Sequence, residues 1–279
     1  MSKRVSNLTN YLIVEECPVD GDCVGERWVT INEKTLASLV AIIAMGQVAQ
    51  ASHIVTKLAP ITPAYSDADS KNEAKIRLTV QEKKTVHRKG YPRSQRDGFI
   101  FEVISWIAAR QTHGKLAYMK YPHVNATSQG LDGLMLEFSA DRSKVERTTI
   151  FEDKCSRDPR RAFTRQVIPV FQNIHGNKRS AEIVAAASVL LRTACISDSQ
   201  VAQLAVAVTD RKTRRYRAAL AVTDKYNNQK KRVELFSGYN KIKNIRADQR
   251  LGACLVVPSN LRDWFDKLAS MSIEHLEKM

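Results

Sequence analysis

The chain has 279 residues, 43% of them apolar, and a formal net charge of +15. That apolar content supplies a sizeable core and excludes a disordered chain. A folded protein with a pI near 9.7 repels itself unless an anion is close by, so nucleic acid is the first partner to expect and an anionic membrane surface the second. The plain alternative is a soluble basic protein.

No stretch reaches the ~18 consecutive apolar residues of a spanning helix. Met1 to Asn7 lacks the apolar core of a signal peptide, so a cytoplasmic location is expected. Five scattered cysteines, Cys17, Cys23, Cys155, Cys195 and Cys254, argue against a disulfide framework. Cys17 and Cys23 have no second pair at zinc spacing and read as ordinary thiols.

In chain order, Leu12 to Glu16 reads as a short strand. Asn32 to Ile54 reads as a helix capped by Asn32, with Leu36, Leu39, Val40, Ile43 and Met45 on its apolar face. Ala59 to Asn72, with Pro60 and Pro63, reads as a loop, and Ile76 to Val86 alternates like a strand with one charged face. Gly98 to Arg110 is a strongly apolar helix. Leu131 to Phe138 and Thr148 to Cys155 are buried strands joined by a charged turn at Ala140 to Arg147. Ala162 to Ile174 and Ala181 to Arg192 are helices, Tyr216 to Thr223 and Ala253 to Val257 are strands, and Asn260 caps a closing helix over Leu261 to Lys278. This order predicts an α/β or α+β fold, a mixed sheet flanked by helices.

A hairpin turning near Ser143 sets Asp132 opposite Lys154 with Glu152 diagonally adjacent. Opposed residues, and residues two apart on a strand, share a face, so Asp132, Glu152 and Lys154 should project together. Two carboxylates on a rigid sheet repel unless a cation sits between them, and hard oxygen ligands suit Mg²⁺ (or Mn²⁺). Such a metal can polarise a phosphate and activate water, while an ammonium orients that water or stabilises growing charge. The competing reading is a structural ion pair. Two other Glu-x-Lys triplets, Glu73-Ala74-Lys75 and Glu82-Lys83-Lys84, read as solvated charge. Glu102 stands among Phe99, Phe101, Val103, Ile104 and Ile107, where a carboxylate needs solvent or a compensating partner.

Asp132 at the start of one strand, followed across a hairpin by Glu152-Asp153-Lys154, resembles the signature of the PD-(D/E)XK nuclease superfamily. Glu102 on the preceding helix and Gln166 on the following one match further family positions. Leu131 stands where the family pattern carries its Pro. The resemblance covers roughly residues 97 to 175. It implies a restriction-endonuclease-like sheet and a metal-dependent nuclease. Asp132, Glu152 and Glu102 would hold metal, Lys154 would act on water or phosphate, and Gln166 would steady the site. It further implies a nuclease-like core over residues 97–279 behind an N-terminal α/β extension of residues 1–96. In size and motif layout the chain is similar to the small nuclease subunit of Hachiman-type anti-phage systems, which implies a helicase partner and a role in defence. The rival class is a catalytically silent nucleic-acid-binding subunit on the same fold.

Phosphate contacts are expected first from Arg157, Arg160, Arg161 and Arg165, which follow the catalytic strand. Arg211, Arg214 and Arg215 come next, in a run with Lys212 and Arg217. Lys230 to Arg232 and Lys83 to Lys89 are further basic runs. Tyr118, Tyr121 and His123 read as structural, with base stacking as the alternative.

Overall fold

The side chain of Asn32 accepts the Thr35 N–H at 3.1 Å and opens helix α1, Glu33–Ala44. The helix expected to run on to Ile54 breaks at Gly46, whose φ of +81° is left-handed, and restarts as α2, Val48–Lys57. These features belong to a computed structural model that describes residues 11–19, 23–83, 86–113, 116–123, 130–194, 197–258 and 260–279. Cys195 and Lys84 fall outside the described residues.

The expected loop and strand between Ala59 and Val86 are corrected. Asp67 accepts the Ser70 N–H at 2.9 Å and caps a helix, α3 (Ala68–Leu78). The apparent alternation through Ile76 and Leu78 is one side of a helical period. Ala74 and Leu78 are buried four residues apart, and Arg77 pairs with Glu73 at 2.7 Å across one turn. The next helix, α4, runs from Arg93 to Thr112.

One seven-stranded sheet organises the chain. Its strands are β1 (Leu12–Glu16), β2 (Val24–Thr30), β3 (Ala117–Met119), β4 (Gly133–Phe138), β5 (Val145–Cys155), β6 (Arg214–Thr223) and β7 (Arg250–Val257), in the order β1-β2-β7-β6-β5-β4-β3. β2, β7, β6 and β5 run parallel, while β1 and β4 run antiparallel to their neighbours. The parallel strands are apolar on both faces (Ala218 to Val222 and Ala253 to Val257 are all buried), as strands covered on both sides must be.

Helices supply that cover. Trp28, Phe151, Ala219 and Leu255 pack with α1–α4 and with α10 (Leu261–Lys278). Ile150, Tyr216, Leu220 and Val256 pack on the opposite face. There they meet α5 (Pro159–Ala162), α6 (Ile168–His175), α7 (Ser180–Thr193), α8 (Asp198–Ala207) and α9 (Gln229–Phe236). The result is a mixed α/β sheet between two helical layers. Residues 97–279 do not form a separate unit. β2 pairs with the central strand β7, and residues from Tyr11 to Leu78 share one core with α4 and α10.

Candidate active site

The β4–β5 hairpin turns two residues tighter than its sequence suggests. Asp141 Oδ1 accepts from the Ser139 hydroxyl at 2.7 Å and from the Ser143 N–H at 3.1 Å, and Arg142 takes a left-handed φ of 58°. Gly133 then pairs with Phe151, so Asp132 comes opposite Glu152 rather than Lys154. A shift of two preserves the face, which is why the three side chains still meet. Gly133 has its own reason: a Cβ there would lie 2.5 Å from the Phe151 ring, which crosses the strand at this point.

Lys154 is the centre of the site. Its Nζ lies 2.6 Å from Glu152 Oε1, 3.2 Å from Asp132 Oδ2 and 3.2 Å from the Asp153 carbonyl oxygen. Asp132 Oδ2 also accepts the Asp153 N–H at 2.8 Å, which locks the residue before β4 onto β5. Glu152 is 6% exposed. Burial, then repulsion from Asp132, pushes its carboxyl up to about 7 despite the pull of Lys154. Burial works against the Lys154 ammonium, but the two carboxylates outweigh it and raise its pKa. Lys154 is therefore a held cation and not a ready base.

This cage is all oxygen: two carboxylates and one backbone carbonyl. That donor set suits Mg²⁺ or Mn²⁺, which keep several waters. Among the described residues, no three His, Cys, Asp or Glu side chains are grouped to hold a metal by themselves. The carbonyl and waters would complete the set. Such an ion and the ammonium compete for the same oxygens.

Glu102 and Gln166 line the same cavity of about 430 Å³ as Asp132, Asp153 and Lys154. Glu102, expected to assist a metal, is also engaged by protein groups. Its carboxylate accepts the His123 backbone N–H at 2.7 Å and meets the His123 ring Nδ1 at 3.0 Å. The His123 ring Nε2 lies 3.1 Å from Lys120 Nζ, which donates to the Leu131 carbonyl at 2.9 Å. Glu102 thus braces the segment leading into Asp132. His123 itself lines the same cavity. Tyr118 packs edge-on against Phe138 at 5.5 Å, and Tyr121 against Trp106 at 6.2 Å.

Gln166 is exposed on a π-helical turn, Phe163–Val167, between α5 and α6. Pro169 gives the cause. It has no N–H for the preceding turn, and its ring would press on the carbonyl four residues back, so the helix widens there.

The basic residues divide. Arg157, Arg161 and Arg165 are exposed, and Arg157 lines a cavity that shares Ser156 and Arg262 with the candidate site. Arg160 is tied down, donating to the Leu235 carbonyl at 2.9 Å and the Ser237 carbonyl at 2.5 Å. Arg214 is a correction: it is fully buried, donating to the Ile174 and Val208 carbonyls at 2.9 and 3.2 Å, and cannot reach a phosphate. Arg215 is half-buried and Arg211 exposed, but they start or precede β6 beside Thr148 and Thr149. Lys154 pairs with Leu220, so Arg214 and Arg215 stand five or six residues, roughly 16–20 Å, down the sheet from it.

Sequence reasoning missed Arg262 and Ser156 on the cavity wall. Arg262 arrives from α10, far along the chain, and no local pattern marks it. The chain matches no family model, no curated protein and no solved structure.

Proposed function

We propose that the protein is a divalent-metal-dependent nuclease that hydrolyses phosphodiester bonds, with DNA as the expected substrate. One observation carries this reading: Asp132, the buried Glu152 and the Asp153 carbonyl converge on a single cation position, and Asp132, Asp153 and Lys154 line an open cavity. Asp132 and Glu152, with that carbonyl, would hold Mg²⁺ or Mn²⁺. When bound, the ion supplies Lewis-acid polarisation of the phosphate and a more acidic water. The Lys154 ammonium would orient the phosphate and stabilise the negative charge that grows on it. Gln166 offers an amide to water or phosphate from the cavity rim. Glu102 contributes by fixing His123 and, through Lys120 and Leu131, the position of Asp132. The helicase partner and defence role implied by the family resemblance rest on that resemblance alone and belong to the same proposal.

The test is incubation of the purified chain with plasmid and linear DNA in Mg²⁺. Cleavage is expected, with a loss of at least about 100-fold in Glu152→Ala and in Lys154→Ala, the scale of removing a charge-stabilising group. Cutting that survives both changes would refute the assignment.

A second reading is favoured by the ion pairs themselves. Lys154 already pairs with both carboxylates, as it would in a purely structural cluster on a nucleic-acid-binding subunit. Manganese separates the two readings. A metal site raises the melting temperature with added Mn²⁺, and Glu152→Gln removes that rise; a structural cluster does neither.

A further inference from the structure

A second, larger cavity of about 730 Å³ adjoins the proposed active site, and the two share Ser156 and Arg262 in their walls. It lies just past the carboxyl ends of β5, β6 and β7, lined by Arg157 after β5, Thr223 at the end of β6 and Asn260 after β7. In open sheets with parallel strands this is where ligands sit.

The two cavities differ in sign. The active-site cavity gathers Glu102, Asp132 and Asp153 against Lys154 and Arg262. The larger one gathers Arg93, Arg157, Lys225 and Arg262 against Asp263 and Asp266. Behind it, Asp266 is held by Arg93 and Arg96, and Arg262 by Asp97. Those pairs leave Arg157 and Lys225 as exposed cations that form no ion pair with any described residue. Lys225 Nζ lies 5.1 Å from the centre of the Tyr226 ring, which also lines the cavity. Cations beside an aromatic face, joined to a cation-holding acidic site, match an alternation of phosphate and base along one strand.

We propose that this cavity seats an unpaired nucleotide flanking the scissile phosphate, with Arg157 and Lys225 on its phosphate and Tyr226 against its base. A volume of about 730 Å³ falls within the roughly 300–1,000 Å³ of sites that take one small ligand, which is room for a single nucleotide. The substrate is then single-stranded, or locally unpaired, on that side of the cut. This rests on the nuclease reading of the adjacent site.

The experiment measures fluorescence anisotropy of labelled single-stranded DNA, single-stranded RNA and blunt duplex DNA with the full chain in EDTA, where no cutting interferes. Single strands are expected to bind at least about tenfold more tightly than the duplex. Tyr226→Ala should weaken single-strand binding by roughly 5- to 150-fold, from about 1–3 kcal/mol per stacked base. Tyr226→Phe should restore it, which guards against misfolding. Arg157→Ala with Lys225→Ala should lower the salt slope by about 0.7 per lost phosphate contact. The DNA and RNA arms identify which strand is preferred. Equal binding of duplex and single strand, or wild-type binding by these variants, overturns the proposal. If these losses appear while the wild-type chain cuts nothing in Mg²⁺, the nuclease reading fails and the cavity stands as a single-strand seat.

Discussion

Two buried polar side chains show how residues of similar sequence appearance take different tasks. Arg214 looks like a phosphate-binding cation in its basic run, yet it sits inside the protein and joins α6 to the segment before β6 through two backbone carbonyls. Arg214→Met takes a donor from each carbonyl, and the Ile174 carbonyl keeps the Asn177 N–H at 3.0 Å. It is expected to lose about 2–3 kcal/mol of unfolding free energy in a denaturant titration, with no change in the salt slope of nucleic-acid binding. His175 is the second case. Its ring Nδ1 lies 2.8 Å from the Tyr216 hydroxyl. Burial, then the charges of Arg211 and Arg214, lower its pKa below 6.5. The unfolded chain therefore takes up this proton before the folded one does. Stability from this residue is intact above about pH 6.5 and declines as pH falls below it. Melting temperatures at about pH 7.5 and pH 5.5 should differ less in His175→Gln than in the wild type.

At the scale of elements, glycine and proline decide where helices stop and open. Gly46 separates α1 from α2 in a left-handed conformation, and a Cβ there would meet nothing within 4 Å. Gly46→Ala is thus a clean measure of backbone strain. It should cost about 1 kcal/mol by denaturant unfolding, without a packing term. A loss several times larger would mean that the side chain does collide. Pro169 acts differently, opening the helix one turn ahead and turning Gln166 towards the cavity. The hairpin between β4 and β5 depends on Asp141 in the same way, because its hydrogen bonds set the strand register that carries Asp132 to Glu152.

At the scale of the molecule, the first third is part of the sheet rather than an appendage. β2 covers the flank of β7, and α1 packs against α10, where Trp264 Nε1 donates to Glu33 at 2.8 Å. A chain cut to residues 97–279 would bare that strand and half of one core. It is expected to show no cooperative unfolding transition by circular dichroism, whereas the full chain shows one. A truncated chain that melts cooperatively would contradict this.

The sequence by itself determined what is local. The strongly apolar α4, the closing helix with its Asn260 cap, and the strands β4 to β7 follow from periodicity and capping, which act within a few residues. The grouping of Asp132, Glu152 and Lys154 was legible too, because a period of two survives a register shift of two. Only the tertiary structure decided the rest. α3 resolved as a helix once Asp67 capped it and Arg77 found the Ala44 carbonyl at 2.6 Å. Arg214 lost its surface role, Glu102 turned to His123, and Arg262 reached the cavity from the far end of the chain. Those outcomes depend on which distant segments meet. A side chain's partner across the sheet is set by burial and loop closure over the whole chain, and no nearby residue encodes it.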